Sequence, residues 1–175
     1  MCVSDFIVDV MFTGKIRDAN IISLNFDGYY YVEGFYGENR YYVEENDMPD
    51  GSGVYCIYRA KSCGKSIQLV ELLYIGESGD IRERLENHEH YCDWLRRLQD
   101  DECLVFSFAP ANKADRENAE AALIYVHSKK YRGLINDSGT KNFNRNDVII
   151  ITEGKNKFLY DCFAVSKNGY IYVKK

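Results

Sequence analysis

The sequence predicts an α/β protein with a small, mostly antiparallel sheet flanked by helices. Three observations carry that prediction. Fifteen Tyr and nine Phe stand against two Pro in 175 residues, a bias toward strands, where aromatic and β-branched side chains pack on a pleated surface. Short apolar runs recur along the chain with Gly, Asn and Asp between them, which is turn chemistry. Other segments repeat their apolar residues at helical spacing. With 46% hydrophobic and 28% charged residues, the chain can bury a core and lacks the composition of a disordered one.

In chain order, residues 6–11, 21–26, 29–35 and 40–43 are β-branched or aromatic runs, separated by DANI, FDGY and YGEN. EENDMPDGSG then breaks the pattern with Pro49, Gly51 and Gly53 and reads as a linker. GVYCIY and LVELLYIG form a strand pair across AKSCGKSIQ, with Gly64 near the middle of the connection. Asp80 and Glu83 make a capping-box pattern for a helix. Tyr91, Trp94, Leu95 and Leu98 give a second helical piece. CLVFSFA is a third strand. Residues 113–130 form a helix with an Ala119, Ala122, Leu123 and Val126 stripe, stopped near Gly133. VIIIT, FLYDCFAV and YIYV are three more strand runs. The expected organisation is an acidic β-rich segment (1–50), a core (51–140) and a C-terminal β extension (141–175).

Charge sharpens this division. The chain carries a net −5, but residues 1–50 hold three Lys/Arg against ten Asp/Glu. The rest holds nineteen against seventeen, so a local basic groove is open to it although coating nucleic acid by bulk charge is not. No run approaches the ~18 apolar residues of a membrane span, and MCVSDFIVDV lacks the charged start of a signal peptide. The expectation is a cytoplasmic protein with no membrane partner. Six cysteines without a CxxC pair point to reduced, mostly buried thiols. HEHYC, with Cys63, lacks the second ligand pair of a zinc site. Arg96-Arg97 and Lys129-Lys130 read as solvated helix faces before they read as phosphate contacts.

The landmarks Gly53-Val54-Tyr55, Tyr74-Ile75-Gly76, Arg84, His88, Glu120 and Asn136 follow one another in the order strand, strand, helices, strand, long helix. This arrangement resembles the GIY-YIG nuclease family, over residues 53–137. GVY stands for GIY, and YIG is intact. YIGESGDIRERLENH puts Arg84 ten residues after Tyr74 and His88 four further on, a spacing that sets both on one helix face. EAALIYVHSKKYRGLIN places Glu120 at the family's metal-binding position and Asn136 at its Asn, with Glu117 the fallback one turn away. Glu120 has a plainer reading as an i,i+4 ion pair with Arg116. Two departures stand out: nineteen positions separate Tyr55 from Tyr74, and Glu77 follows YIG where a small or basic residue is common in the family.

The resemblance implies metal-dependent endonucleolytic cleavage of a phosphodiester bond, in DNA rather than RNA. It implies a divalent ion, Mg²⁺ or Mn²⁺, on Glu120, with Arg84 on the phosphate oxygens. Tyr55 would be the general base, His88 the acceptor of its proton, Tyr74 the residue that positions water, and Asn136 a brace. A phenol of pKa about 10 is a demanding base at neutral pH, so nearby cations are needed to favour its ionised form. The rival reading is a non-catalytic nucleic-acid or protein-binding module on the same scaffold.

Overall fold

One seven-stranded sheet organises the chain, and a computed structural model describes it over residues 2–16, 18–32, 49–63, 66–131, 133–136, 143 and 145–174. The elements are α1 (Val3–Phe12), β1 (Asn20–Tyr31), β2 (Gly53–Cys63), β3 (Ser66–Ser78), α2 (Ile81–Glu86), α3 (Tyr91–Leu95), β4 (Glu102–Pro110), α4 (Lys113–His127), β5 (Val148–Gly154), β6 (Cys162–Val165) and β7 (Ile171–Val173). The strand order is β3-β2-β4-β1-β5-β6-β7. Every neighbouring pair is antiparallel except β1 with β5. The class is therefore α/β with a mostly antiparallel sheet. β1, from the acidic N-terminal stretch, lies fourth of seven and joins the 53–110 strands to the C-terminal ones.

Helices cover both faces, so β2 is buried from Val54 to Tyr58 rather than alternating in and out. On one face Ala119, Ala122, Leu123 and Val126 of α4 pack against Val54, Cys56, Tyr58, Ile22, Leu24 and Ile150. On the other, Ile81 and Leu85 of α2 and Trp94 of α3 close over Tyr55, Ile57, Leu73, Tyr74, Phe106 and Phe108. Beyond β1 the same face is covered by Phe6 and Val10 of α1 with Ile16, against Ile149, Cys162 and Ala164. Each such fully buried aliphatic or aromatic side chain contributes roughly 1.5–3 kcal/mol.

Four expectations change. Residues 6–11 are helical, not a strand: Val3, Phe6, Ile7 and Val10 share one packed face, and Cys2 and Asp5 form a reciprocal N-terminal box. A 3/4 periodicity with a cap outweighs β-branched propensity there. FDGY is not a turn between two strands but an irregularity inside β1, with the register shifting between Asp27 and Tyr30 and Gly28 at φ +32°. FLYDCFAV yields a strand only over Cys162–Val165, because Phe158 takes φ +78° and breaks extension. Among the described cysteines Cys56 and Cys162 are buried and Cys2 and Cys92 exposed, all unpaired. The expected strand at 40–43 lies outside the described residues. No described helix is long and apolar enough to cross a membrane.

Candidate active site

The β2–β3 ladder sets two tyrosines side by side. Tyr55 is opposite Gly76, and Tyr74 opposite Ile57, so both rings rise from one face as diagonal neighbours. Their centroids are 6.1 Å apart and nearly parallel. The register slips between Ile57 and Tyr58, which leaves Leu73 and Tyr74 consecutive on that face. Gly76 has to be glycine: a Cβ there would sit 2.5 Å from the Tyr55 ring and 2.7 Å from Tyr74. Gly53 is equally confined, with the Ala109 carbonyl 2.2 Å from where a Cβ would fall. The two motif glycines are thus packing requirements of the aromatic pair and the β4 edge.

Arg84 and His88 do not share a helix face. α2 ends at Glu86, with Asn87 at φ −126°, and His88 lies in the connection to α3. Its buried ring still reaches the site: Nε2 is 2.9 Å from the Tyr55 hydroxyl. Trp94 lies against it at 4.2 Å between ring centroids, and Tyr74 meets it edge-on at 5.1 Å. The Trp94 indole N–H finds no acceptor among the described residues. The His90 backbone N–H donates to His88 Nδ1 at 3.1 Å. A neutral imidazole carries one proton, so this bond assigns it to Nε2 and makes His88 the donor to Tyr55.

Arg84 stands beside the pair but is engaged elsewhere. Its two terminal nitrogens donate to both oxygens of Glu89, at 2.6 and 2.8 Å, the bidentate geometry a phosphate would take. The five-residue spacing crosses a helix end, so no sequence signal announces this pair. A groove of about 600 Å³ opens next to it, lined by Ser78, Gly79, Asp80, Glu83, Arg84 and Asn87. Asp80 caps α2 through the Glu83 N–H as the sequence suggests.

Glu120 stands on α4, which packs on the other face of the sheet. Its charge raises the pKa of both Tyr55 and Tyr74, which places it in the same electrostatic neighbourhood; nothing comparable ties Glu117 to them. The plainer alternative for Glu120, an ion pair with Arg116, does not form: Arg116 binds Glu77 through Nε and the Ser52 hydroxyl through Nη1, the latter at 2.8 Å. Glu77, the departure from the family pattern, is thereby tied down beside Glu120. Asn136 stands one step back. Its amide donates to the Ile75 carbonyl and accepts from the Ile75 N–H, while Ile135 N–H donates to the Leu73 carbonyl at 2.8 Å. Asn136 thus extends the edge of β3 behind Tyr74 and braces it.

The titratable groups are displaced by burial first and by neighbours second. Burial pushes the Tyr55 hydroxyl far above its ordinary value, Tyr74 adds to this, and Arg84 opposes it. Burial also lowers His88 to about 4, with the Arg84 charge contributing, so the ring is neutral at pH 7. Glu120 is raised to about 7, by burial and then by Glu77. Among the described residues no three His, Cys, Asp or Glu converge to hold a metal. A single carboxylate suits Mg²⁺, which keeps several waters and takes one or two carboxylates; a Zn²⁺ site draws on at least three protein ligands. A cation against Glu120 would also relieve a charge that burial and Glu77 disfavour. The donor set fits a hydrated hard divalent ion.

No protein family, curated protein or solved structure matches the chain.

Proposed function

We propose that the protein is a divalent-metal-dependent endonuclease that hydrolyses phosphodiester bonds, in DNA rather than RNA, on a GIY-YIG-like core running from β2 to α4. The observation that carries this reading is the 2.9 Å contact between the Tyr55 hydroxyl and His88, in a buried pocket shared with Tyr74, where the charges of Arg84 and Glu120 both act on the tyrosines. Tyr55 is the proton-handling group. Burial keeps Tyr55 protonated in the free chain, with the Glu120 charge adding to this and the Arg84 charge opposing it. The His88 Nε2–H, the Arg84 charge and an ion that would neutralise Glu120 all lower the cost of the phenolate that takes a proton from the attacking water. This reverses the direction implied by the resemblance: His88 donates to Tyr55 rather than receiving its proton, so Tyr55 has to lose its own proton to bulk water before the attack. Arg84, once freed from Glu89, neutralises charge on the nonbridging oxygens. Tyr74 positions the water, and Asn136 keeps Tyr74 in place through β3. Glu120 would hold Mg²⁺ or Mn²⁺, an ion that stabilises the leaving oxyanion.

One observation favours a second reading, a binding module on the same scaffold: the Arg84 fork is filled by Glu89. Supercoiled plasmid incubated with Mg²⁺ or Mn²⁺ decides between them. The nuclease yields nicked and linear DNA, suppressed by EDTA and by Tyr55→Phe. Retained DNA binding with no product at any metal concentration selects the module.

A further inference from the structure

Four exposed lysines gather at the far end of α4 from Glu120. Lys129 and Lys130 follow the helix, and Lys155 and Lys157 lie in the β5–β6 connection. Each ammonium rests on an aromatic ring: Lys129 on Tyr125 at 3.8 Å, Lys130 on Tyr160 at 4.3 Å and Tyr131 at 4.9 Å, Lys157 on Phe158 at 5.4 Å, and Lys155 on Tyr29 at 5.9 Å. The rings adjoin one another, with Tyr131 to Phe158 at 6.1 Å, Phe158 to Tyr58 at 6.3 Å and Tyr58 to Tyr29 at 5.8 Å. Three of the lysines thus sit on rings joined through the buried Tyr58, and Lys129 lies next to Lys130 in the chain.

Two features separate this face from ordinary surface lysines. None of the four ammonium groups pairs with a carboxylate of the described residues; the nearby Glu71 is claimed by Arg59 and Arg97. The backbone beneath is also strained into place. Phe158 adopts φ +78°, a region bulky residues avoid, and the Tyr131 hydroxyl holds its carbonyl at 2.8 Å. The strained residue sits between the two lysine pairs.

We propose that Lys129, Lys130, Lys155 and Lys157 form a docking face for the phosphate backbone of nucleic acid, separate from the Tyr55 cleft. Cations spread along a surface suit a polymer of phosphates better than one small anion. Lysine supplies point charges without the fork that reads base edges, and the rings beneath are covered by the ammonium groups, so contact is with backbone and independent of sequence. At ~1.5 Å per helical residue, Lys129 lies ~14 Å along the chain axis from Glu120, equivalent to ~4 base pairs at ~3.4 Å each. That the polyanion is nucleic acid rests on the phosphodiesterase reading above.

The test compares the wild-type chain with the fourfold variant Lys129→Gln, Lys130→Gln, Lys155→Gln, Lys157→Gln. Fluorescence anisotropy of a 20-base-pair DNA duplex, and of single-stranded RNA, is followed against NaCl in EDTA. Loss of four phosphate contacts should reduce the log–log salt slope by ~3.6 on duplex DNA, so wild type weakens ~150-fold more than the variant between 50 and 200 mM salt. The fourfold Lys→Arg variant should restore the slope. Unchanged slopes on both nucleic acids overturn the proposal. So does lysine-dependent capture of phosphatidylserine vesicles without lysine-dependent duplex binding. Hydrolysis of bis(p-nitrophenyl) phosphate, too small to reach the face, should be equal in wild type and variant. If neither protein hydrolyses it while the duplex slope still depends on the lysines, the nuclease reading falls and the face stands.

Discussion

His88 and His127 are both buried, both surrounded by aromatic rings, and both lowered to about 4 by desolvation. Their partners differ. His127 donates from Nδ1 to the Leu123 carbonyl at 2.7 Å and accepts at Nε2 from the Tyr160 N–H at 3.2 Å. Both nitrogens serve the main chain, and the ring pins the end of α4 to the loop before β6. His88 is held by the main chain on one side only, and on the other it meets a tyrosine hydroxyl. The two rings are therefore neutral in opposite tautomers, Nδ1–H at 127 and Nε2–H at 88. A lowered pKa reports burial at both; what separates the rings is the second partner, main chain at His127 and a tyrosine hydroxyl at His88.

The largest expected effect lies at Glu120, the carboxylate whose charge acts on Tyr55 and Tyr74. Glu120→Gln should abolish metal-dependent plasmid cleavage, whereas Glu117→Gln should leave it intact with stability within about ±0.5 kcal/mol, as for a surface change. Stability adds a second readout with a definite sign. Glu120 is raised from 4.5 to about 7 in the folded chain, so folding retains a proton that the unfolded chain releases between those values. Wild-type stability should fall as pH rises through about 7. Metal-free Glu120→Gln should unfold at a higher temperature than wild type at pH 8. An inactive Glu117→Gln beside an active Glu120→Gln would move the site by one turn.

Next come the histidines themselves. His88→Ala should reduce cleavage ~10²–10⁴-fold, and His88→Gln, which keeps an N–H donor within reach of Tyr55, should recover much of it. His127→Ala should leave the rate per folded molecule unchanged and lower stability instead, since each buried main-chain group it strands costs roughly 1–3 kcal/mol. Equal losses in His88→Gln and His88→Ala would return His88 to the role of proton acceptor.

The Tyr55 side of this contrast was legible in the sequence, and the His88 side only partly. Tyr55 and Tyr74 lie in strand runs marked by GVY and YIG, and a capped helix after Asp80 follows from local chemistry. What ends α2 at Glu86 is tertiary: the chain turns so that His88 can enter the pocket under Trp94, a contact that helical spacing does not encode. The Arg84–Glu89 fork is equally silent, because a five-residue separation belongs to no regular element. At the N-terminus the sequence does contain the answer, in the 3, 6, 7, 10 spacing and the Cys2–Asp5 box, but β-branched residues obscure it. Phe158 in a left-handed conformation has no sequence signal, since such positions favour Gly or Asn.

A smaller effect tests whether both rings share one electrostatic regime. Both folded values lie below the ordinary 6.5, so the unfolded chain takes up protons first as pH falls. Their contribution is fully present above pH 6.5 and is lost as pH drops toward 4. Glu120 has the opposite sign over an overlapping range, so the measurement belongs in the Glu120→Gln background. There, His88→Gln and His127→Gln should each flatten the decline in melting temperature between pH 6.5 and 4. Flattening by His127→Gln alone would mean that water reaches His88 in solution.

The smallest expected effect concerns the residue after His88. Glu89 is half exposed, and Arg84 holds its carboxyl down to about 2, so it remains an anion through the working range and occupies the fork that the proposed substrate phosphate would need. Displacing it competes against an ion pair of the kind worth about 0.2–1 kcal/mol near a surface. At ~1.4 kcal/mol per tenfold change, Glu89→Gln should lower KM by up to about fivefold and leave kcat nearly unchanged, since the released guanidinium meets ground state and transition state alike. The alternative is that Glu89 aims Arg84, in which case kcat falls and KM does not improve. His127 has no counterpart to this pair: its contacts are uncharged, and nothing there waits to be displaced. A KM decrease at constant kcat would therefore mark the His88 pocket as a closed anion site, and a kcat decrease would mark Glu89 as part of its framework.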